Sequence, residues 1–223
     1  MSVVNVLLTK REGMLCTDTF GYDVAGRVLG EVSKCIIVPH HRLAIATRGS
    51  AALAWNAAIL VSVTSMPAGI DSLIPQAERF MQRILDASLY QMGRAGCMDG
   101  EVTIVGWSDA AGAPVGHYLE WIESRGTLFA EPIQPGRYDM QPRLLPEFAP
   151  DTRHANDPPA MFRGIANAQR KMAAARYPGN PVGGRLILTT VNRHGMEQRQ
   201  IHAWPDDVAK LRAVAPVTEA EPA

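Results

Sequence analysis

The order in which strand and helix signals follow one another constrains this chain more than any other feature. Two hairpins are predicted in the first fifty residues, one over residues 3–17 and one over 34–47. Two helices, a third hairpin, a third helix and a fourth hairpin follow. Paired helices between antiparallel hairpins do not fit a doubly wound parallel sheet. The order predicts an α/β chain of the α+β type, with two antiparallel sheets packed face to face and helices outside them.

The helix boundaries are set by local signals. Ser50 is predicted to cap an alanine-rich helix over 51–63, and Asp71 or Ser72 to cap a second helix that Gly93 ends. The third helix is expected to start after Asp157, and the remaining hairpins over 101–122 and 185–204. Residues 126–157 hold five of the sixteen prolines and are predicted to form an irregular loop over one face. We expect one domain over 1–214, closed by a short helix at 206–214, and a frayed tail over 215–223.

Composition excludes several classes of function. The 22 basic and 22 acidic residues balance, which gives no electrostatic reason to expect nucleic acid or an anionic membrane as a partner. The cysteines Cys16, Cys35 and Cys97 have no motif spacing, so neither a disulfide framework nor a zinc site is expected. There is no signal-peptide pattern, and the apolar run over 51–63 is too short to span a bilayer. The sequence therefore predicts a cytoplasmic protein.

The candidate chemistry lies at the start of the chain. Removal of Met1 would make Ser2 the first residue, and an N-terminal serine supplies both a nucleophilic hydroxyl and its own α-amine as base. The α-amine has a reference pKa of about 7.7–8.0. A nearby ammonium would lower that pKa further, because it disfavours a second positive charge. Such a mechanism needs neither a metal nor an organic cofactor.

Two further residues stand at informative distances from Ser2. Asp18 follows it by sixteen residues and Lys34 by thirty-two, and Arg48-Gly49 stand directly before the first helix. In these features the chain resembles the proteasome β-type subunits of the N-terminal-nucleophile hydrolases, as a divergent bacterial or phage-like member. The resemblance implies a four-layer αββα sandwich. It also implies that Lys34 lowers the amine pKa, that Asp18 orients Lys34, and that Arg48 or Gly49 donates a backbone N–H to the oxyanion.

The sequence departs from that pattern in its second half. Active members carry an Asp-x-x-Ser before a Gly-Gly, whereas Gly183-Gly184 follow Gly-Asn-Pro-Val, and no Gly-Ser-Gly segment lies between 122 and 157. Three interpretations therefore stay open. The first is a hydrolase that cleaves peptide or other amide bonds through Ser2. The second is a non-catalytic structural or assembly subunit, and the third is a small-molecule amidase. The resemblance further implies homo-oligomeric rings formed through the outer helices, with any ATPase partner left unspecified.

Overall fold

The computed structural model describes residues 2–22, 27–63, 69–93, 99–150, 156–177, 181–205 and 207. Met1, Cys97 and the tail over 215–223 lie outside the described residues. So does the predicted closing helix over 206–214, except for Asp207.

The strands of the described residues are antiparallel throughout. They are β1 (Val4–Leu8), β2 (Glu12–Asp18), β3 (Phe20–Tyr22), β4 (Val28–Glu31), β5 (Cys35–Val38), β6 (Leu43–Arg48), β7 (Gly100–Ser108), β8 (Ala113–Ile122), β9 (Thr127–Pro132), β10 (Tyr138–Gln141), β11 (Arg185–Asn192) and β12 (Gly195–Ala203). One five-stranded sheet has the order β10-β1-β2-β11-β12, and a second has the order β5-β6-β7-β8-β9. The short strands β3 and β4 pair with each other.

The helices follow the predicted capping signals at two of three starts. They are α1 (Ala51–Val63), α2 (Ile70–Leu73), α3 (Ala77–Met92) and α4 (Pro158–Arg176). Ser50 Oγ accepts a hydrogen bond from the Ala52 N–H at the start of α1. At the start of α4, Asp157 Oδ1 accepts one from the Ala160 N–H.

The prediction of one continuous second helix is wrong. The segment is split into α2, a 3₁₀ turn over Ile74–Gln76, and α3. Pro75 lies in that turn and has no N–H to continue α2. Asp71 caps no helix. Its carboxylate instead accepts hydrogen bonds from Ser108 Oγ and the Asp109 N–H, which ties α2 to the turn between β7 and β8.

The predicted irregular loop over 126–157 is also wrong. It contains β9, which pairs with β8, and β10, which pairs with β1, so each becomes an edge strand of one large sheet. Pro132 and Pro142 stand at or just after the ends of these strands, where a missing N–H breaks no ladder. The β3–β4 hairpin likewise forms in a stretch that had no clear strand pattern.

Three buried clusters form the core. One combines side chains of both large sheets, for example Leu8, Leu15 and Val105. Another joins the second sheet to α1 and α3, and the third joins the first sheet to α4. A mixed α+β chain built on antiparallel sheets is thus confirmed. No helix among the described residues is both long and apolar enough to cross a membrane.

Candidate active site

Ser2 lies at the entrance to β1, a central strand of the first sheet. Its residue is half-buried, and the Ser2 carbonyl oxygen accepts a hydrogen bond of 2.8 Å from Arg48 Nε. The Val3 N–H donates to Asp18 Oδ1 at 3.0 Å. Both hydrogen bonds hold the peptide group between Ser2 and Val3, so residues from β2 and β6 fix the serine on its carboxyl side.

Asp18 is the junction of this region. It ends β2 and is completely buried. Besides the Val3 N–H, its carboxylate accepts hydrogen bonds from Lys34 Nζ at 2.7 Å and from the Gly183 N–H at 3.3 Å. These hydrogen bonds compensate the buried carboxylate for the water that it loses. Asp18 therefore connects the start of the chain, the segment before β5 and the segment before β11.

Lys34 is buried with its ammonium directed at Asp18. Burial lowers the pKa of Lys34 from its ordinary value, because a low-dielectric interior disfavours the charged amine. The Asp18 carboxylate opposes that shift, and the Arg48 guanidinium adds to it. Lys34 is thus influenced by a carboxylate that stabilises its charge and by a guanidinium that disfavours it.

Arg48 reaches the site through its side chain, whereas the sequence resemblance pointed to its backbone N–H. Its guanidinium donates to both oxygens of Glu101 on β7, and both side chains are largely buried. The side chain of Tyr118 on β8 also hydrogen-bonds to Glu101. Burial raises the pKa of Glu101, while Arg48 lowers it again. Sequence reasoning missed this group, since nothing local to Glu101 or Tyr118 indicates that β7 and β8 carry them toward Ser2.

Gly49 joins β6 to α1 in a conformation that only glycine adopts easily. Its φ is 106°, and a Cβ there would lie 2.7 Å from the Asp99 carbonyl oxygen. The turn therefore lies close against the backbone that leads into β7. That the N–H of Arg48 or Gly49 binds an oxyanion stays a prediction.

The segment around Gly183-Gly184 contacts the site without the expected aspartate and serine. Gly183 donates to Asp18 and accepts from the Thr19 N–H at 3.3 Å. The Gly184 N–H donates to Asp207 at 3.3 Å, and Asp207 forms an ion pair with Arg170 of α4. The backbone N–H groups of Gly183 and Gly184 therefore occupy this part of the site, where the resemblance implied an aspartate and a serine side chain. Asp207 holds Gly184 in place.

A second residue that the sequence did not reveal is Tyr22 on β3. Its side chain hydrogen-bonds to the Ser2 side chain, while burial raises the pKa of its phenol. Tyr22 stands in a short strand without periodicity, so no sequence signal pointed to it.

The site adjoins a cavity of about 510 Å³ whose wall includes Arg48, Glu101 and Tyr118. Arg48 therefore contacts both Ser2 and the cavity. In the part of the chain that the structure describes, no group of three or more His, Cys, Asp or Glu side chains is placed to hold a metal ion.

Comparison with solved structures places the fold. The Gly-1 mutant of Anbu from Hyphomicrobium sp. strain MC1 matches with a TM-score of 0.56 at 11% identity, over 99% of this chain and 100% of that one. Anbu (ancestral beta-subunit) from Yersinia bercovieri matches with a TM-score of 0.57 at 9% identity, over 97% and 98%. No protein-family model and no curated protein matches the sequence.

These findings correct the family assignment made from the sequence. The spacing of Ser2, Asp18 and Lys34 suggested a member of the proteasome β-type N-terminal-nucleophile hydrolases, but no family model supports that membership. The structures that match are Anbu proteins, at identities that establish the fold alone. The chain has a proteasome-like fold, similar to that of the two Anbu structures.

Proposed function

We propose that this chain is an amide hydrolase that cleaves peptide bonds through Ser2 as an N-terminal nucleophile. One observation carries the proposal. Asp18 is completely buried and hydrogen-bonds both to Lys34 Nζ and to the Val3 N–H, the backbone group directly after Ser2. A buried ion pair that also holds the Ser2–Val3 peptide is costly to form, and perturbed charges of this kind concentrate at functional sites.

The proposed reaction follows from that geometry. With Ser2 as the first residue, its Oγ attacks the amide carbonyl carbon while its proton passes to the α-amine. The backbone N–H of Arg48 or Gly49 stabilises the oxyanion. The amine then gives the proton to the departing nitrogen, which leaves an ester on Ser2 that water hydrolyses. Lys34 and Arg48 keep positive charge beside the amine and so favour its neutral, basic form.

The finer fold assignment belongs to the same proposal. The two large sheets share one buried cluster, and helices cover their outer faces through the other two. This supports a four-layer αββα sandwich within a single domain over 1–214. The substrate class, peptide or small amide, follows from the nucleophile and from the adjoining cavity rather than from the matched structures.

We also propose assembly with further copies of the chain through its outer helices. Helix α1 carries no charged residue, and it leaves Trp55, Ile59 and Val63 more than half exposed along one stripe. Such a stripe is what a helix covered on both sides presents when seen alone. The same surface favours the second candidate function, a structural subunit whose role is assembly rather than catalysis.

The chemical state of the N-terminus tests the hydrolase proposal. The purified full chain is treated with a peptidyl β-lactone or epoxyketone, and intact and peptide mass spectrometry locates the adduct. We expect a chain that begins at Ser2 and carries one adduct there. Ser2→Ala should abolish labelling, whereas Ser124→Ala, at an exposed serine, should leave it unchanged. A retained Met1, or equal labelling of Ser2→Ala, would overturn the catalytic proposal and leave the structural one.

A further inference from the structure

The cavity beside Ser2 is built from both large sheets. Arg48, Glu101 and Glu120 contribute from the second sheet, and Gln141 contributes from the end of β10 in the first. Gln141 is paired with Val4 at the start of β1, two residues after Ser2. The cavity has a volume of about 510 Å³, which falls within the usual range of small-ligand sites. The Arg48 side chain, which lines the cavity, also hydrogen-bonds to the Ser2 carbonyl and so connects the cavity to the candidate nucleophile.

Two ion pairs already form among the charged residues around the cavity. The Glu101 carboxylate receives the Arg48 guanidinium and the Tyr118 side chain, so its acceptor capacity is largely used. At the rim, Arg143 lies 3.7 Å from Glu131. These pairs leave little net charge for a ligand to contact.

Two hydrogen-bond acceptors in the wall, Glu120 and Gln141, are free to accept from a ligand as far as the described residues show. Glu120 stands directly opposite Glu101 in the β7–β8 register, is half-buried, and pairs with no cation among the described residues. Gln141 is only 8% exposed, and its single hydrogen bond within the described ranges is a long one, from Nε2 to Asp139 at 3.5 Å. Its amide oxygen therefore accepts nothing from the described part of the chain.

Such an arrangement requires donors from outside. A carboxylate facing another carboxylate on one sheet face is unfavourable until a cation joins it. Arg125 also lines the cavity, but from the exposed turn after β8. Glu120 and Gln141 together suit a group that carries several N–H donors and a positive charge.

We infer that this cavity is a subsite for a basic side chain, lysine or arginine, of the chain that Ser2 cleaves. This inference rests on the proposed function, because it assumes that the substrate is a peptide cleaved by Ser2. The guanidinium or ammonium pairs with Glu120 and donates to the Gln141 amide oxygen, and the aliphatic stem lies along the cavity wall. Substrates with a basic residue near the scissile bond are therefore preferred over neutral ones of equal shape.

Binding to an inactive full-length chain tests the subsite without relying on cleavage. In the Ser2→Ala background, calorimetry compares an acetylated tripeptide amide containing arginine with the same peptide containing citrulline, which has nearly the same shape but no charge. We expect the arginine peptide to bind about tenfold more tightly, as for a hydrogen bond to a charged group. Glu120→Gln should remove that preference, and Gln141→Leu should reduce it. Glu197→Gln, at an exposed position on β12, should leave it intact.

The outcomes separate the two proposals. Equal affinity for the two peptides, no binding of either, or a preference that survives Glu120→Gln would overturn the subsite. Labelling of Ser2 together with equal affinities would uphold the hydrolase and reject the subsite. A preference that depends on Glu120, in a chain whose Ser2 is never labelled, would uphold the cavity as a binding site and reject the hydrolase.

Discussion

At the scale of single residues, the site is organised around Asp18. Its carboxylate accepts from Lys34, Val3 and Gly183, which come from three separate parts of the chain. The carboxylate has no exposure to water, so these donors replace its hydration. Asp18 thus holds the Ser2–Val3 peptide in place.

Replacement of this carboxylate should therefore be costly. We expect Asp18→Asn to lower the free energy of unfolding by about 3 kcal/mol, because it leaves the buried Lys34 ammonium without a counter-charge. Equilibrium urea denaturation measures the loss. The matched control is Asp109→Asn, whose ion pair with Arg42 is exposed and should cost about 1 kcal/mol or less. Equal losses in the two variants would show that the buried pair contributes no more than a surface one.

At the scale of secondary-structure elements, the turn between β6 and α1 sets the position of Arg48. Gly49 brings that turn within van der Waals contact of the chain at Asp99 and Gly100, where β7 begins. Glu101 follows immediately, which is why Arg48 reaches both its carboxylate and the Ser2 carbonyl. The close approach of the two backbones thus builds the wall between the candidate nucleophile and the cavity.

Alanine at this turn should be far less tolerated than at an open one. Gly112, in the turn between β7 and β8, has a φ of 60° and no neighbour within 4 Å of a built Cβ. Gly112→Ala should cost about 1 kcal/mol of backbone strain. Gly49→Ala should cost clearly more, since its Cβ would also meet the Asp99 backbone. Urea midpoints of the two variants measure the difference. A smaller loss for Gly49→Ala would mean that the turn moves freely away from β7.

At the scale of the whole molecule, the outer surface of α1 is the feature that the isolated chain leaves unexplained. One side of the helix is buried against the second sheet through Leu53 and Ala57, whereas Trp55 and Ile59 are exposed on the other. A helix apolar on both sides is ordinarily covered on both. A second copy of the chain is the occupant that we propose.

Assembly through this helix is tested by light scattering. The wild-type chain should scatter as an oligomer at micromolar concentration. Trp55→Glu combined with Ile59→Glu should shift it to a monomer, because two buried charges would lack partners. Leu145→Glu introduces charge at a partly exposed apolar position elsewhere and should leave the oligomer intact. A wild-type monomer would contradict the proposal.

Much of this architecture follows from local signals in the sequence. Residue alternation and turn residues are enough to predict the β1–β2 and β11–β12 hairpins, since their partners are neighbours in the chain. The cap at Ser50 and the start of α4 after Asp157 were predicted because these signals act within three residues. The spacing from Ser2 also singles out Asp18 and Lys34, and the structure shows that these two residues form an ion pair.

The contacts between segments that are distant in the chain depend on the tertiary structure alone. The pairing of β10 with β1, the ion pair of Arg48 with Glu101, and the hydrogen bond from Gly184 to Asp207 leave no local trace. Each depends on how two sheets and a helix pack as a whole, and many sequences satisfy the same local pattern without forming it. Local signals therefore predict the first and last hairpins, the starts of α1 and α4 and the candidate nucleophile, while long-range packing decides where β9 and β10 pair and brings Arg48 to Ser2.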